Sequence, residues 1–351
     1  MNNHFLDNET WRYFWHPVCT IDELNQSDCG RGKLLRAELL GQELVIAKLD
    51  NGVVALANRC PHRSAKLHLG WNCGNAIQCA YHGWKYGHDG TCTEIPALPN
   101  GPIPPNAKTK AFDCEVRYDL VWVRLDNTIN TEIPAHLAFD DPSFTCTMGT
   151  PYTWKTHSAR RVENYTDLAH FPFVHPETLG NPDFVTFLIP DIDLQRHGRM
   201  RFKYEPPEGG RNGMDAAGNL APLIHTDYTI QLPFGVTLDQ PLANGTRTIM
   251  WMWATPIDNR HCRTFWFCCS NTKAPFDPAV PIATQMAILE EDIGPVESQE
   301  PEQIPHPRDE IAIAADKVSL TYRRLLFELC KAKAAGQEAV TAFLASERTN
   351  I

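Results

Sequence analysis

The stretch from Cys60 to Trp84, CPHRSAKLHLGWNCGNAIQCAYHGW, constrains the fold more than any other part of the chain. It contains two pairs of potential metal ligands, Cys60 with His62 and Cys79 with His82, and sixteen residues separate the pairs. Two thiolates and two imidazoles could hold one zinc ion or an iron–sulfur cluster. The stretch therefore predicts two loops that meet at one metal centre.

The mixed composition of each pair favours the iron–sulfur cluster. Zinc sites usually draw like residues into each pair, as in Cys-x2–4-Cys with His-x3–5-His. A Rieske [2Fe–2S] centre instead binds one iron through two cysteines and the other through two histidines, and Gly83 allows the backbone to approach it closely. A structural zinc knuckle stays open as the alternative. Cys73, between the pairs, is predicted to be a small buried residue rather than a ligand.

A second metal centre is expected because a Rieske cluster carries one electron and does no chemistry on a substrate by itself. The segment ENYTDLAHFPFVH contains Asp167, His170 and His175. On a helix, Asp167 and His170 would share a face, and Pro172 would then interrupt the helix and turn His175 back to the same point. Two histidines and a carboxylate form the facial triad of non-haem Fe(II) oxygenases. The alternative is that both histidines are ordinary packing or surface residues.

Composition excludes several other classes of protein. The chain has 351 residues, which suggests roughly two domains, and its formal charge of −10 argues against affinity for nucleic acid or anionic membranes. No apolar run approaches the roughly 18 residues of a membrane span, and the first residues do not resemble a secretory signal. The twelve scattered cysteines predict reduced thiols in a cytoplasmic enzyme, two of them metal ligands.

The pattern of apolar residues predicts an α+β protein. In the first part, LVIAKLDNGVVALANRC predicts a hairpin, VRYDLVWVRLD a strand and ALPNGPIPPNAK a loop. Further on, RMRFKYE, IHTDYTIQL, RTIMWMWATPI and CRTFWFCCS predict strands, and the chain is predicted to be helical from Ala279 onward. We predict a small all-β domain over residues 1–150 and a larger α+β domain over residues 151–351.

With both motifs present, the chain resembles the oxygenase components of the Rieske non-haem iron oxygenases over nearly its whole length. The resemblance rests on C-x-H…C-x-x-H and D-x-x-H-x4-H. It implies a helix-grip-like catalytic domain with an antiparallel sheet and C-terminal helices, a [2Fe–2S] cluster and a mononuclear Fe(II). The four cluster ligands it implies are Cys60, His62, Cys79 and His82. The iron ligands it implies are His170, His175 and an aspartate on a late helix.

The family's late aspartate precedes a glutamine, and LEEDIGPVESQEP supplies Asp292, with Gln299 seven residues further on. Glu290, Glu291 and Glu297 are chemically possible substitutes, but only Asp292 matches the family's pattern.

By the same resemblance, Asp167 is an electron-transfer bridge rather than a ligand. It would bond His170 of its own subunit and a Rieske histidine, His82, of a neighbour. Such head-to-tail contacts close into a ring when the rotation is threefold, so a homotrimer is expected. Asn164, one turn earlier, is expected to line the iron site.

The expected reaction uses O2 and electrons from a separate ferredoxin-type reductase. Neither a G-x-G-x-x-G fingerprint nor a plant-type ferredoxin C-x4-C-x2-C run occurs in the chain, so NAD(P)H and flavin are expected only in that partner. The short chain and its opening WRYFWHPVCTIDEL resemble the vanillate and methylxanthine demethylase branch, which favours N- or O-demethylation or C–H hydroxylation of a small aromatic or heterocyclic compound. The alternatives are aromatic cis-dihydroxylation and, outside enzymes, a Rieske electron carrier or redox sensor.

A locally basic segment suggests where the reductase docks. Residues 51–92 contain four basic side chains and one acidic side chain, namely Arg59, Arg63, Lys66, Lys85 and Asp89. A solvated surface without a partner would show the same pattern. If the segment steers an acidic partner, changing Arg63 and Lys66 to glutamate will slow reduction of the cluster and weaken its salt dependence in stopped-flow measurements. An unchanged rate and salt dependence would refute docking at this segment.

Overall fold

The computed structural model describes residues 8–26, 34–176, 178–183, 185–206, 212–214, 220–272, 277, 279–306 and 308–346. The chain separates into two compact units, Trp11–Ile133 and Pro134–Ile351 together with Met1–Thr10. The predicted α+β class is confirmed, since most of the regular secondary structure of the first unit is strand and the second unit combines a large sheet with helices. The functional boundary after residue 150 stays a prediction.

The described residues of the first unit form two antiparallel sheets, one short α-helix and a 3-10 helix at Leu67–Leu69. Its elements are β1 (His16–Thr20), α1 (Ile21–Gln26), β2 (Leu34–Leu39), β3 (Gln42–Leu49), β4 (Gly52–Ala57), β5 (Trp71–Asn72), β6 (Ile77–Gln78), β7 (Lys85–Tyr86), β8 (Cys92–Glu94), β9 (Ala111–Arg117) and β10 (Leu120–Arg124). Six strands form one sheet in the order β1-β10-β9-β4-β3-β2, and β5 to β8 form a second, smaller sheet.

Strand β3 shows why this sheet has apolar layers on both faces. Successive side chains of a strand point to opposite faces. Leu44 and Ile46 therefore join one buried cluster while Val45 and Ala47 join the other. The second cluster also contains both cysteines of the metal motif, so that the motif is built directly on the sheet.

Two of the predicted elements in this unit have different outcomes. The hairpin is confirmed, because β3 and β4 pair antiparallel and Leu49 lies opposite Gly52. The single strand predicted for VRYDLVWVRLD is wrong, because the chain turns at Tyr118 and Asp119 and returns as β10. Both turn residues have positive φ angles, of 57° and 56°, as a two-residue type I′ hairpin loop requires.

The second unit is built on one long antiparallel sheet. Its elements are α2 (Leu137–Asp140), β11 (Thr145–Met148), β12 (Tyr152–Trp154), α3 (Ser158–Thr166), α4 (Phe171–Val174), β13 (Ile192–Gln195), β14 (Arg199–Tyr204), β15 (Asn212–Met214), β16 (Leu220–Pro222), β17 (Thr226–Gln231), β18 (Gly235–Pro241), β19 (Arg247–Pro256), β20 (Cys262–Ser270), α5 (Ala279–Glu297), α6 (Lys317–Ala335) and α7 (Gln337–Ala345). The order is β11-β20-β19-β18-β17-β14-β13, with β12 also on β20.

The predicted strands of this unit are confirmed as β14, β17, β19 and β20. The prediction of helix from Ala279 onward is confirmed for α5 to α7 but is wrong for residues 298–306 and 308–313, which are not helical. Strand β19 is buried at every residue after Arg247, because helix α3 packs against the sheet. Helix α3 also contacts α5 and α6. The described residues contain no helix long and apolar enough to cross a membrane.

Two predictions about cysteines are wrong. Cys146 of β11 and Cys269 of β20 form a disulfide rather than staying reduced, because antiparallel pairing sets them directly opposite each other with 4.0 Å between their Cα atoms. Cys73 is exposed rather than buried, and its thiol donates to Gln78 Oε1 at 3.2 Å.

A buried ion pair joins α6 to α3. Arg323 Nη2 lies 2.9 Å from Glu163 Oε2, and Arg323 Nη1 lies 2.7 Å from Glu310 Oε2. Burial raises the pKa of Glu163, and the guanidinium of Arg323 only partly offsets that effect. The carboxylate therefore depends on its partner to stay charged.

Changing Arg323 to leucine should lower the free energy of unfolding by about 3–5 kcal/mol, because it leaves Glu163 buried without its partner. The control is Arg324→Leu, since Arg324 is exposed and pairs with Glu328 one helical turn away. That loss should stay within about 0.5 kcal/mol. Equal urea denaturation midpoints for the two variants would contradict this account.

Candidate metal centres

The two loops that carry the first candidate centre have the same backbone geometry. The amide of Cys60 donates to Ala65 O at 2.8 Å, and Ser64 N donates back to Cys60 O at 2.9 Å. The amide of Cys79 likewise donates to Trp84 O, and Gly83 N donates back to Cys79 O. Ser64 and Gly83 have φ angles of 59° and 73°, so both loops use the left-handed conformation at the same position. Each loop thereby presents one cysteine and one histidine.

The cysteines of these loops lie inside the unit and the histidines lie towards its surface. Both thiols are buried, and Cys60 Sγ lies 3.0 Å from Tyr86 Oη. The ring centroids of His62 and His82 are 4.5 Å apart, and His62 stacks on Trp84 at the same separation. His82 is exposed. The sequence analysis assigned no role to Tyr86 and Trp84, which lie beside the predicted cluster ligands Cys60 and His62.

The arrangement fits a two-iron cluster better than a single ion. Among the residues that the structure describes, no three of these four side chains bring their ligand atoms within 4.8 Å of one another. One tetrahedral zinc ion needs all four ligands around one point. A [2Fe–2S] cluster needs a cysteine pair and a histidine pair that stand apart. His62 Nδ1 is buried without a hydrogen-bond partner and is therefore free to act as a ligand.

Carboxylates neutralise part of the predicted basic segment. Lys66 pairs with Glu43, and Lys85 Nζ lies 2.7 Å from Glu94 Oε2. Arg63 is exposed, and the guanidinium of Arg59 donates to Ser64 Oγ. Docking of a reductase there stays a prediction, and it rests on the two arginines more than on the lysines.

The second candidate centre begins where α3 ends. The prediction that Asp167 and His170 share one helix is wrong, because α3 stops at Thr166 and Asp167 has an extended ψ of 125°. The side chain of Asp167 accepts from Ala169 N at 2.8 Å, a local bond that competes with the helix. Pro172 does not break a helix either. It lies in the first turn of α4, where a missing amide hydrogen costs nothing.

Three predicted ligands nevertheless converge. The ligand atoms of His170, His175 and Asp292 all lie within 4.8 Å of one another. Asp292 Oδ1 is 3.6 Å from His170 Nε2 and 3.2 Å from His175 Nε2. Two imidazoles and one carboxylate are the donor set of non-haem Fe(II) sites. The set therefore fits a mononuclear iron.

A second carboxylate stands behind each histidine. His170 Nδ1 lies 3.4 Å from Asp167 Oδ2, and His175 Nδ1 lies 2.7 Å from Glu291 Oε2. A hydrogen-bonded carboxylate fixes the tautomer and orientation of a metal-binding histidine, as Glu291 does for His175. His170 Nδ1 makes no hydrogen bond, so Asp167 is only a charged neighbour of that ring. From the sequence, Glu291 was expected only as a possible substitute ligand. Its contact with His175 was missed because that contact depends on how α5 packs against the α4 region.

The other glutamates near Asp292 lie elsewhere. Glu290 is exposed, and Glu297 Oε1 accepts from the backbone amide of Lys155 at 2.7 Å. Asn164 Nδ2 does reach the set and donates to Asp292 Oδ1 at 3.0 Å.

The environment of Asp292 keeps its carboxylate ionised. Burial alone would raise its pKa. Contacts with His175, Arg161 and Asn164 outweigh burial and hold the pKa of Asp292 below its ordinary value. Burial lowers the pKa of His175, but Asp292 and Glu291 together raise it above its ordinary value.

A polar cavity of about 540 Å³ opens beside this centre. Its wall includes Asn164, Asp167, His170 and Asp292 together with the ion pair of Glu163 and Arg323. Asp167 thus lines the same cavity as two of the three predicted iron ligands.

Comparison with known proteins agrees with both centres. The family model described as the Rieske [2Fe-2S] domain matches residues 14–113, and the one described as the vanillate O-demethylase oxygenase C-terminal domain matches residues 154–332. The chain is 38% identical to methylxanthine N3-demethylase NdmB of Pseudomonas putida, over 99% of this chain and 96% of that protein. It is 39% identical to methylxanthine N1-demethylase NdmA of the same organism, over 96% and 94%.

The chain belongs to the Rieske non-haem iron oxygenases. The solved structure of Pseudomonas putida CBB5 NdmA with caffeine superimposes with a TM-score of 0.89 at 38% identity and covers 98% of each chain. The predicted oxidoreductase class and both predicted cofactors, a [2Fe–2S] cluster and a mononuclear non-haem iron, are thereby confirmed. The match of residues 14–113 to a Rieske [2Fe-2S] domain favours the iron–sulfur cluster over the zinc knuckle.

The position of Glu291 in this Rieske oxygenase leads to a prediction about iron binding. Replacing Glu291 with leucine removes the acceptor from His175 Nδ1, so Fe(II) affinity should fall by about 10–100-fold. Titration of the iron-depleted protein with Fe(II) measures the change. The exposed neighbour supplies the control, Glu290→Leu, which should bind as the unmodified protein does. Equal affinities for the two variants would show that Glu291 does not support the site.

Proposed function

We propose that this oxygenase removes an N-methyl group from a methylxanthine-like heterocycle. The observation that carries the proposal is similarity to two methylxanthine N-demethylases along almost the whole of each chain, at 38% and 39% identity. The convergence of His170, His175 and Asp292 supports it, since removal of a methyl group through hydroxylation needs an oxygen-activating centre.

The proposed ligands divide between the two centres. Cys60 and Cys79 would hold one iron of the cluster and His62 and His82 the other. His170, His175 and Asp292 would hold the mononuclear iron. When bound, these groups supply electron storage and O2 activation for insertion of one oxygen atom into a C–H bond.

The overall chemistry balances without any further reactant. An N-methyl group, O2, two electrons and two protons give an N-hydroxymethyl group and water. Cleavage of its C–N bond returns the proton of the hydroxyl to nitrogen and releases formaldehyde. The two electrons come from the reductase, because this chain has no dinucleotide fingerprint.

The protein's own groups prepare the site for this reaction. Glu291 bonds Nδ1 of His175, so that this ring would present Nε2 to the metal. Asp167 Oδ2 lies 3.4 Å from Nδ1 of His170, whose Nε2 faces Asp292. Asn164 donates to Asp292 Oδ1 and holds the carboxylate against them. His175 and Asp292 are buried, which keeps bulk water away from two of the three ligands.

Electron delivery is proposed to cross between subunits. Asp167 is 40% exposed and borders the cavity, and His82 is exposed on the first unit, so a neighbour's His82 could reach Asp167. Repeating that contact head to tail would close a homotrimer.

The reductase would carry flavin and bind NAD(P)H. We place the reaction in the cytoplasm.

Purified oxygenase with a reductase, NADH and caffeine should release one formaldehyde for each dimethylxanthine formed. Chromatography against the two isomeric dimethylxanthine standards distinguishes loss of the N1 methyl from loss of the N3 methyl, since the two products have the same mass. His170→Ala should abolish turnover. His261→Ala should not, because His261 pairs with Asp258 away from the proposed ligands. A cis-diol product, or full turnover by His170→Ala, would contradict the proposal.

A further inference from the structure

A histidine and two cysteines meet outside the two metal centres described above. The potential ligand atoms of His136, Cys146 and Cys269 all lie within 4.8 Å of one another. The two cysteines form the disulfide that joins β11 to β20, and His136 Nε2 is 3.8 Å from Cys269 Sγ. The function proposed above uses none of these three residues.

The ring of His136 is neutral and is held in one orientation. His136 is buried, and burial lowers its pKa to about 4. The ring stacks on that of Trp251, with 5.2 Å between the centroids, and meets the ring of Phe267 edge to face. Nδ1 accepts from the backbone amide of Phe139 at 3.4 Å. A neutral imidazole whose Nδ1 is an acceptor carries its hydrogen on Nε2.

This tautomer favours sulfur chemistry over metal binding. A metal would need the lone pair of Nε2, whereas here Nε2 carries a hydrogen and faces Cys269 Sγ. A disulfide sulfur is a weak acceptor, and hydrogen bonds to an ionised acceptor are roughly twice as strong as those between neutral groups. His136 therefore stabilises Cys269 more as a thiolate than as half of a disulfide.

The two sulfurs of the disulfide also differ in access. Cys269 is fully buried, whereas Cys146 is half-buried on β11, at the edge of the sheet. A thiolate from solvent therefore approaches Cys146 more readily than Cys269. The rate of thiol–disulfide exchange depends on which sulfur can be reached and on how well the other sulfur leaves as a thiolate. Both conditions favour attack at Cys146 with Cys269 as the leaving group.

We propose that Cys146 and Cys269 are a reversible thiol–disulfide site for a low-molecular-weight thiol such as glutathione, with His136 as the hydrogen-bond donor to the leaving sulfur. The thiolate of the reductant bonds Cys146 Sγ while the bond between the two cysteines breaks, and the electron pair of that bond goes to Cys269 Sγ. A second thiolate displaces Cys146 from the mixed disulfide. Two reductant thiols thus give one reductant disulfide and two cysteine thiols, and glutathione disulfide reverses the sequence.

Titration of the holoenzyme in glutathione buffers of graded ratio tests the site. After an acid quench, free thiols are labelled in denaturant with one isotope of N-ethylmaleimide, and thiols released by later reduction are labelled with another. Peptide mass spectrometry should show Cys146 and Cys269 changing together with one midpoint. Cys114 is the internal control, because it is a half-buried free thiol whose pKa burial raises to about 12. It should stay reduced in every buffer.

The role of His136 is tested by the rate at which dithiothreitol reduces the pair. His136→Phe keeps a planar ring and removes the donor, so reduction should slow by about 10-fold. His261→Phe is the matched control, because His261 pairs with Asp258 and should leave the rate unchanged. Circular dichroism and the absorbance of the cluster show whether each variant is folded.

The order of attack is tested with glutathione disulfide and two serine variants. Cys269→Ser should form a mixed disulfide at Cys146, whereas Cys146→Ser should leave Cys269 unmodified, because Cys269 is fully buried. The opposite pattern would refute the proposed order.

A pair that stays oxidised in the most reducing buffer, or reduced in the most oxidising one, would overturn the whole proposal. Equal reduction rates for the two histidine variants would refute the role of His136. If His136→Phe does not fold, the titration of the unmodified holoenzyme and the two serine variants decide. None of these measurements uses turnover, so failure of the proposed demethylation would not affect them.

Discussion

The contact of one buried carboxylate with two imidazoles organises the functional half of the second unit. Asp292 comes from α5, whereas His170 and His175 flank α4, more than a hundred residues earlier. Helix α5 must pack beside this segment for the three to meet. A buried carboxylate needs partners that compensate for its lost hydration. Besides the two histidines, Asn164 and Arg161 of α3 contact the carboxylate of Asp292. The position of three helices is thus tied to the chemistry of one side chain.

In the first unit, loops rather than helices bring the predicted metal ligands together. Two turns of the same geometry bring two cysteines and two histidines to one place, and the apolar layer beneath them contains the cysteines. The histidine side is the outer one, since His82 is exposed and His62 is half-buried. A cluster held by these four residues would have its shortest route to another protein through the imidazoles, in line with the proposed transfer between His82 and Asp167.

Local patterns predicted much of this molecule, and non-local packing accounts for what they missed. The cysteine–histidine motif, the hairpin and the late helices depend on residues close in sequence. The turn at Tyr118 and Asp119 was missed because neither residue is glycine although both have positive φ angles. The end of α3 was misplaced because the side chain of Asp167 bonds the backbone. The contact of Glu291 with His175 follows from how helix α5 packs, which the spacing of residues in the sequence does not reveal.

The most direct test of the account is anomalous diffraction at the iron absorption edge from crystals of the loaded protein. The account predicts three iron positions in each chain. Two should lie between the first pair of loops, one beside the cysteines and one beside the histidines, and the third should lie between His170, His175 and Asp292. A single zinc position at the loops, or an iron elsewhere in the second unit, would contradict it.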